Sequence, residues 1–202
     1  MTLRSTYRNT VIAVGGSPHS GKSVFLSELY RQLLERQPSR IFRQAACPDG
    51  EGMWSSEADS EIVRSLRRKG VFSDEFMATT LSGIEALGRN PHYSIVLLDL
   101  GGKRTAQNAE ILQRSHYLIL VSSSVEEIPQ WQAFTTAEEC KTLAALESRL
   151  GNKPAQSQLD INEIPVSGVL WNLDRELDRT AYEGAIAQLA EWLLDRFEQK
   201  TV

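Results

Sequence analysis

The residue types best suited to chemistry are concentrated in one short glycine-rich stretch. Gly16 begins the sequence GSPHSGKS, which matches the phosphate-loop pattern of two glycines, separated by four residues, followed by Lys-Ser. Gly16 and Gly21 permit backbone conformations in which successive N–H groups point inward toward an anion. Lys22 adds a positive charge for the outer phosphates, and the Ser23 hydroxyl is suited to bind magnesium. The stretch therefore predicts binding of a nucleoside triphosphate with Mg²⁺.

The residues between the two glycines complete the predicted anion site. Such positions work mainly through their backbone N–H groups, so His19 is interpreted as a tolerated spacer. The predicted nucleotide contacts within the loop are Gly16, Ser17, Pro18, His19, Ser20, Gly21, Lys22 and Ser23. The alternative is a glycine-rich turn that only caps a helix and leaves Lys22 in solvent.

The flanking sequence favours the phosphate-loop interpretation over the simple turn. Val11 to Val14 form a short, mostly β-branched apolar run, which is typical of a buried strand. After the loop, apolar residues recur at helical spacing and predict an amphipathic helix: Phe25, Leu26, Leu29, Leu33 and Leu34. The positive end of such a helix attracts an anion.

A second candidate group ends the strongest apolar run, YSIVLLDLGG. Asp99 is predicted to hold Mg²⁺ from the side opposite Ser23. The backbone N–H of Gly102 is placed to sense a terminal phosphate. The alternative is an Asp that merely starts a glycine turn. No acidic residue comes directly after Asp99, which favours the kinase and GTPase side of the phosphate-loop fold over its motor side.

The tripeptide after the run VSGVLW bears on the base of the nucleotide. Asn172-Leu173-Asp174 is at best a weak relative of the Asn-Lys-x-Asp guanine motif, and the extra loop lysine of septum-site ATPases is missing. ATP is therefore the expected nucleotide, with Asn172 as a candidate contact.

The segment CPDGEGMW offers candidate groups for catalysis. Asp49 and Glu51 come after a second predicted strand, where small-molecule kinases often keep the carboxylate that positions or deprotonates an acceptor. In related dimeric ATPases the same region can hold a water-activating Asp. The indole of Trp54 could stack on a base. The alternative is a turn with solvated acids and a Trp54 that packs in the core.

The order of the elements predicts an α/β protein with a phosphate-loop NTPase fold. Five apolar strands alternate with helices, so the sheet is expected to be mostly parallel, with helices on both faces. Residues 1–202 are expected to form a single nucleotide-binding domain. Further predicted elements are a helix from Ser56 to Lys69, helices capped by Ser73 and by Thr180 with Glu183, and a long helix from Pro129 through Cys140 to Leu146.

Composition limits the other functional classes. The chain has 202 residues, 41% hydrophobic and 24% charged, with a net charge of −4. This charge argues against a generally basic nucleic-acid surface. The two cysteines are too few for a disulfide scaffold or zinc cluster. With no signal pattern and no long apolar span, we expect a cytoplasmic protein without a membrane segment.

Three motifs together, GGSPHSGKSVF, CPDGEGMW and LLDLGG, carry a family likeness. Over about residues 10–135 the chain resembles the phosphate-loop domain, often labelled AAA-like, that is fused to a small CRISPR-associated ring nuclease. The resemblance implies a role beside type III CRISPR defence, where the nuclease half degrades cyclic oligoadenylate messengers. It also implies that the loop glycines, Lys22 and Ser23 hold the nucleotide and that Asp99 is the magnesium partner. None of the nuclease's catalytic residues is in this chain.

The expected function is that of an ATP- and Mg²⁺-dependent phosphotransferase or slow ATPase. Its predicted catalytic residues are Lys22, Asp49 and Glu51, because phosphoryl transfer needs charge stabilisation and an oriented acceptor or water. One alternative is a non-catalytic module in which a nucleotide controls association with a ring-nuclease partner. Another is a regulator that forms homo-oligomers.

Overall fold

A central sheet of seven strands organises the chain. In the computed structural model, which describes residues 3–48, 73–151 and 156–198, the strand order is β2-β3-β1-β4-β5-β7-β6. The strands are β1 (Thr10–Gly15), β2 (Ile41–Ala45), β3 (Ile95–Asp99), β4 (Tyr117–Ser122), β5 (Lys141–Arg149), β6 (Gln158–Asp160) and β7 (Val166–Trp171). All neighbours are parallel except β6 and β7, which are antiparallel.

Helices cover both faces of the sheet. They are α1 (Lys22–Arg36), α2 (Asp74–Arg89), α3 (Ala106–Leu112), α4 (Glu127–Ala137) and α5 (Glu183–Glu198), with short 3₁₀ helices at Leu3–Thr6 and Arg179–Ala181. No helix in the described ranges has the length and apolarity that crossing a membrane requires.

Two hydrophobic cores lie on the two sides of the sheet, as alternate side chains of each strand point to opposite faces. On β1, Ile12 and Val14 pack with α1 and α5. Val11 and Ala13 pack with α2, α3 and α4, where Trp131 is the largest fully buried side chain among the described residues. Because both faces are covered, these strands are apolar throughout and not alternating. The predicted α/β class with a mostly parallel sheet is confirmed.

Several predicted elements are found where the sequence places them. The first four strands are present, and α1 begins directly after the glycine-rich loop. The Ser73 side chain accepts a hydrogen bond from the Phe76 N–H, so it caps α2 as expected. In the same way, the Thr105 side chain accepts from the Asn108 N–H and caps α3.

The predicted long helix from Pro129 to Leu146 is wrong. It ends at Ala137, and Glu139 then takes a left-handed conformation with φ 54°. The chain continues as β5, which pairs with β4 on one side and β7 on the other. Cys140, Leu143 and Leu146 match helical spacing by coincidence. The hydrogen bonds offered by two neighbouring strands decide the conformation instead.

The predicted count of five strands is also wrong. VSGVLW forms the seventh strand, and the polar connector before it supplies β6. The predicted Thr180–Glu183 capping box is absent, because Thr180 lies in a 3₁₀ helix capped by the side chain of Asp178. The predicted helix from Ser56 to Lys69 lies outside the described residues.

Candidate functional site

The glycine-rich loop connects β1 to α1 and is fastened to the end of β4 by two serine side chains. The hydroxyls of Ser17 and Ser122 share a hydrogen bond of 2.9 Å, and the Ser123 N–H donates to Ser17 Oγ at 3.2 Å. The Ser20 hydroxyl donates to the Val121 carbonyl at 2.9 Å. Because these side chains bind β4, Ser17 and Ser20 have their hydroxyl groups committed to holding the loop in place.

Both motif glycines are required by the geometry of the loop. Gly16 has φ 138°, and a Cβ atom there would lie 1.8 Å from the Val121 carbonyl oxygen. Gly21 has φ 74°, and its Cβ would lie 2.5 Å from Leu173 Cβ. Any side chain would therefore push the loop away from its neighbours. These two close approaches explain why the sequence has glycine at both positions.

Lys22 is the first residue of the fifteen-residue helix α1. Its Nζ donates to the Ser17 carbonyl at 2.7 Å, so the lysine folds back across the loop. A cavity of about 190 Å³ borders this region and is lined by His19, Ser20, Gly21, Lys22, Ser23, Val24 and Arg175. The helix N-terminus adds a partial positive charge. Together these groups form an electropositive recess of the kind that binds anions.

Asp99 lies at the end of β3, directly beside the strand that leads to the loop. In the sheet register it is opposite Val14 of β1. Its Oδ2 accepts a hydrogen bond from Arg43 Nη2 at 3.0 Å, and the two side chains are 13% and 10% exposed. Arg43 also donates to the Ser27 hydroxyl at 3.3 Å. The predicted magnesium ligand is thus held in a largely buried ion pair.

Sequence reasoning missed Arg43. The signal for it was a charged residue in the middle of the strand RIFRQAA, where apolar side chains are usual. Its partner could not be predicted from the sequence, because 56 positions separate Arg43 from Asp99.

The turn after β3 packs directly onto the phosphate loop. A Cβ at Gly102 would lie 3.0 Å from the Pro18 backbone nitrogen, so the two segments touch. The Asn108 side chain donates to the carbonyls of Gly101 and Lys103 at 3.3 and 2.6 Å. Gly102 therefore lies at the edge of the predicted triphosphate site, in a turn fixed by α3.

The segment after β7 also reaches the loop, although by other residues than expected. Asn172 has φ 58°, and its Oδ1 accepts from the Gly151 N–H at 3.0 Å. Its side chain therefore serves the turn, and a role in base binding stays a prediction. Leu173 is buried against Gly21, and Arg175 lines the cavity beside the loop.

Asp49 and Glu51, the predicted acceptor-orienting carboxylates, lie outside the described residues. The segment that carries them nevertheless starts at the site. Cys47 Sγ lies 3.0 Å from the position of a Cβ at Gly101, next to Asp99 and Gly102. The chain at Cys47 thus leaves the sheet beside the turn that comes after Asp99.

Comparison with solved structures gives the class of fold. The chain matches no protein-family model, and no curated protein is significantly similar in sequence. Cobyrinic acid a,c-diamide synthase from Mycobacterium smegmatis with bound ADP and magnesium superposes with a TM-score of 0.61, at 14% identity over 94% of this chain and 96% of that one. A plasmid partition protein from Borrelia burgdorferi gives a TM-score of 0.55, at 12% identity over 95% and 99%.

These similarities define the chain as a protein with the phosphate-loop NTPase fold, as its sequence predicts. The structure of the same synthase with a bound ATP analog and magnesium has a TM-score of 0.59. At these low identities the likeness is one of fold.

The Arg43–Asp99 ion pair predicts a measurable stability effect. Arg43→Gln leaves the Asp99 carboxylate in a largely buried position without its guanidinium partner, and removing one member of such a pair is strongly destabilising. We expect the free energy of unfolding, measured by urea denaturation, to fall by about 3 kcal/mol. Adding Asp99→Asn should restore part of this loss, because the uncompensated charge is then gone.

Arg89→Gln is the matched control, since Arg89 bonds Glu85 at the surface and is 50% exposed. It should cost no more than about 0.5 kcal/mol. Equal losses for the two arginine variants would contradict the assigned role of the buried pair.

Proposed function

We propose that the protein binds ATP with Mg²⁺ at the phosphate loop and catalyses slow phosphoryl transfer, to water or to a small acceptor. The observation that carries the proposal is the closed geometry of the loop. Gly16 and Gly21 lie where no side chain fits, and Lys22 follows at the N-terminus of a long helix. This combination concentrates N–H groups and positive charge on one anion site.

The residues present fit a triphosphate with its metal. The loop amides and Lys22 suit the phosphate oxygens, while the Ser23 hydroxyl and the Asp99 carboxylate are the hard oxygen ligands that Mg²⁺ prefers. When bound, Mg²⁺ neutralises charge on the transferring phosphoryl group. Lys22 contributes in the same direction, because catalysis of this transfer rests mainly on positioning and charge stabilisation.

The contact of Arg43 with Asp99 is one reason to propose that the reaction is slow. Its guanidinium already neutralises Asp99 at 3.0 Å. A metal ion at Asp99 has to share or replace that contact, which weakens the site for the metal. In this proposal Asp49, or Glu51 two residues later, orients the acceptor or the attacking water.

Adenine is the proposed base. The loop after β7 lacks the Asn-Lys-x-Asp pattern, and Arg175 borders the cavity next to the phosphate loop. A guanidinium can stack on a base without selecting guanine by hydrogen bonding.

A second candidate is a nucleotide-controlled module for a ring-nuclease partner that degrades cyclic oligoadenylate in type III CRISPR defence. It is supported by the combination of GGSPHSGKSVF, CPDGEGMW and LLDLGG in one chain. Here ATP would govern association with the nuclease, or between copies of this chain, and turnover would be slow or absent. The cytoplasm is the proposed compartment for either candidate.

Lys22→Ala tests nucleotide binding. The change removes a charge-assisted contact worth about 1.5–3 kcal/mol, so ATP affinity should fall at least about tenfold. Calorimetry with Mg²⁺ measures the affinity. Lys141→Ala, at an exposed lysine on the start of β5, is the matched control and should leave it unchanged. Equal affinity of the Lys22 variant and the wild type would refute the proposed site.

Asp99→Asn tests the magnesium ligand. Loss of the carboxylate charge should raise the Mg²⁺ concentration needed for half-maximal ATP binding several-fold, while affinity for metal-free ATP changes little. Mg²⁺ titrations at fixed ATP measure this difference. Asp160→Asn, on the exposed strand β6, should behave as the wild type. An unchanged Mg²⁺ requirement in Asp99→Asn would make the residue purely structural.

Asp49→Asn and Glu51→Gln separate the catalyst from the binding module. A positioned acid–base group commonly contributes roughly 10²–10⁴-fold to the rate, so one of the two variants should lose at least about tenfold in turnover. ATP affinity should be nearly unchanged, because neither residue belongs to the loop. Phosphate release and ATP calorimetry measure the two quantities. Full turnover in both variants, or no turnover in the wild type, favours the nucleotide-controlled module.

A further inference from the structure

A second cavity lies at the amino-terminal ends of the parallel strands, opposite the end of the sheet that carries the phosphate loop. It measures about 360 Å³ and opens where four strands begin. Arg40 precedes β2, Ser94 precedes β3, Thr10 starts β1 and His116 precedes β4. Hydrogen bonds join these segments side by side, from the Ser94 N–H to the Arg40 carbonyl at 2.8 Å and from the Thr10 N–H to the Ser94 carbonyl at 2.9 Å. The floor of the cavity is therefore rigid.

The charge of this cavity is positive. Arg8 and Arg40 both line it, and no carboxylate does so among the residues that the structure describes. Within the same described ranges, neither guanidinium forms an ion pair or a side-chain hydrogen bond. The neighbouring Glu85 bonds Arg89 at 3.2 Å and Arg114 at 3.1 Å, so its charge is already compensated. The cavity thus offers two guanidinium groups to an anion.

The wall of the cavity is aromatic and preformed. Tyr117 packs against Phe197 with ring centroids 5.2 Å apart, and Tyr7 meets His116 edge to face at 5.6 Å. Tyr93 completes the wall, and its ring centroid lies 5.1 Å from that of a phenylalanine on β2. Rings fixed in this way offer a stacking surface at little entropic cost, and base stacking on aromatic side chains is worth about 1–3 kcal/mol.

His116 is held in place at the start of β4. Its Nδ1 accepts a hydrogen bond from the Val11 N–H at 3.0 Å, which fixes the orientation of the ring. The cavity combines a cationic rim and flat apolar surfaces in a volume within the usual range for small-molecule sites.

We infer that this cavity binds a nucleoside monophosphate, with the phosphate at Arg8 and Arg40 and the base against the aromatic wall. The site is separate from the phosphate loop, because the six residues of β1 span about 20 Å between the cavity at its start and the loop at its end. The inference goes beyond the proposed ATP site and does not depend on it.

Adenosine monophosphate is the probe for a direct test. Calorimetric titration uses the Lys22→Ala variant of the 202-residue chain, in which the phosphate loop is weakened, and the wild type saturated with ATP and Mg²⁺. Both should bind the probe. Arg40→Gln or Arg8→Gln added to Lys22→Ala should weaken binding at least about fivefold, since each removes a charge-assisted contact. Adenosine and inorganic phosphate should each bind at least about tenfold more weakly than the complete nucleotide.

Arg196→Gln is the matched control. Arg196 is exposed on α5, stacks on Trp192 with its guanidinium carbon 5.3 Å from the ring centroid, and does not line the cavity. It should leave the affinity unchanged. The amide signals of Ser94 and His116 should shift on titration, which locates the probe.

Three outcomes would overturn the inference. The first is no binding of millimolar adenosine monophosphate to Lys22→Ala. The second is binding that Arg8→Gln and Arg40→Gln do not weaken, and the third is inorganic phosphate that binds as tightly as the nucleotide. If ATP does not bind at the loop, these three outcomes can still be interpreted, because each of them is measured in the Lys22→Ala background.

Discussion

The close contact between the phosphate loop and β4 is the constraint on which the site depends. Gly16 lies against the Val121 carbonyl, and the Ser17 and Ser20 hydroxyls bind Ser122 and Val121. This contact exists only because β4 is the neighbour of β1 in the sheet. The anion site is therefore a property of the sheet order as much as of the loop sequence.

An ion pair between Arg43 of β2 and Asp99 of β3 links these two strands near their carboxyl ends. Asp99 is flanked in register by Val14 of β1 and Ala45 of β2, and its carboxylate pairs with Arg43. A buried ion pair contributes little net stability, but it fixes the orientation of its members. The ion pair thus holds the carboxylate in one orientation beside the strand that leads to the loop.

The sequence predicts the parts of the molecule that local chemistry determines. The loop, the cap at Ser73 and the first four strands all follow from short-range patterns. Helical spacing wrongly predicts a helix in place of β5, because the pairing of β5 with two neighbouring strands is not encoded in spacing. The role of Arg43 escapes prediction for the same reason, since its partner lies on another strand. The sequence makes Asn172 a candidate contact for the nucleotide base. In the structure Asn172 has a positive φ, and its side-chain amide oxygen accepts a hydrogen bond within a turn.

The last strand of the sheet limits how copies of this chain can associate. β6 has only three residues and runs antiparallel to β7. A strand from another molecule added at this edge would gain very few backbone hydrogen bonds, and short edge strands are a common protection against such pairing. Self-association by extension of the sheet is thus disfavoured at β6, and contacts between copies on this side of the sheet would have to use helices or loops.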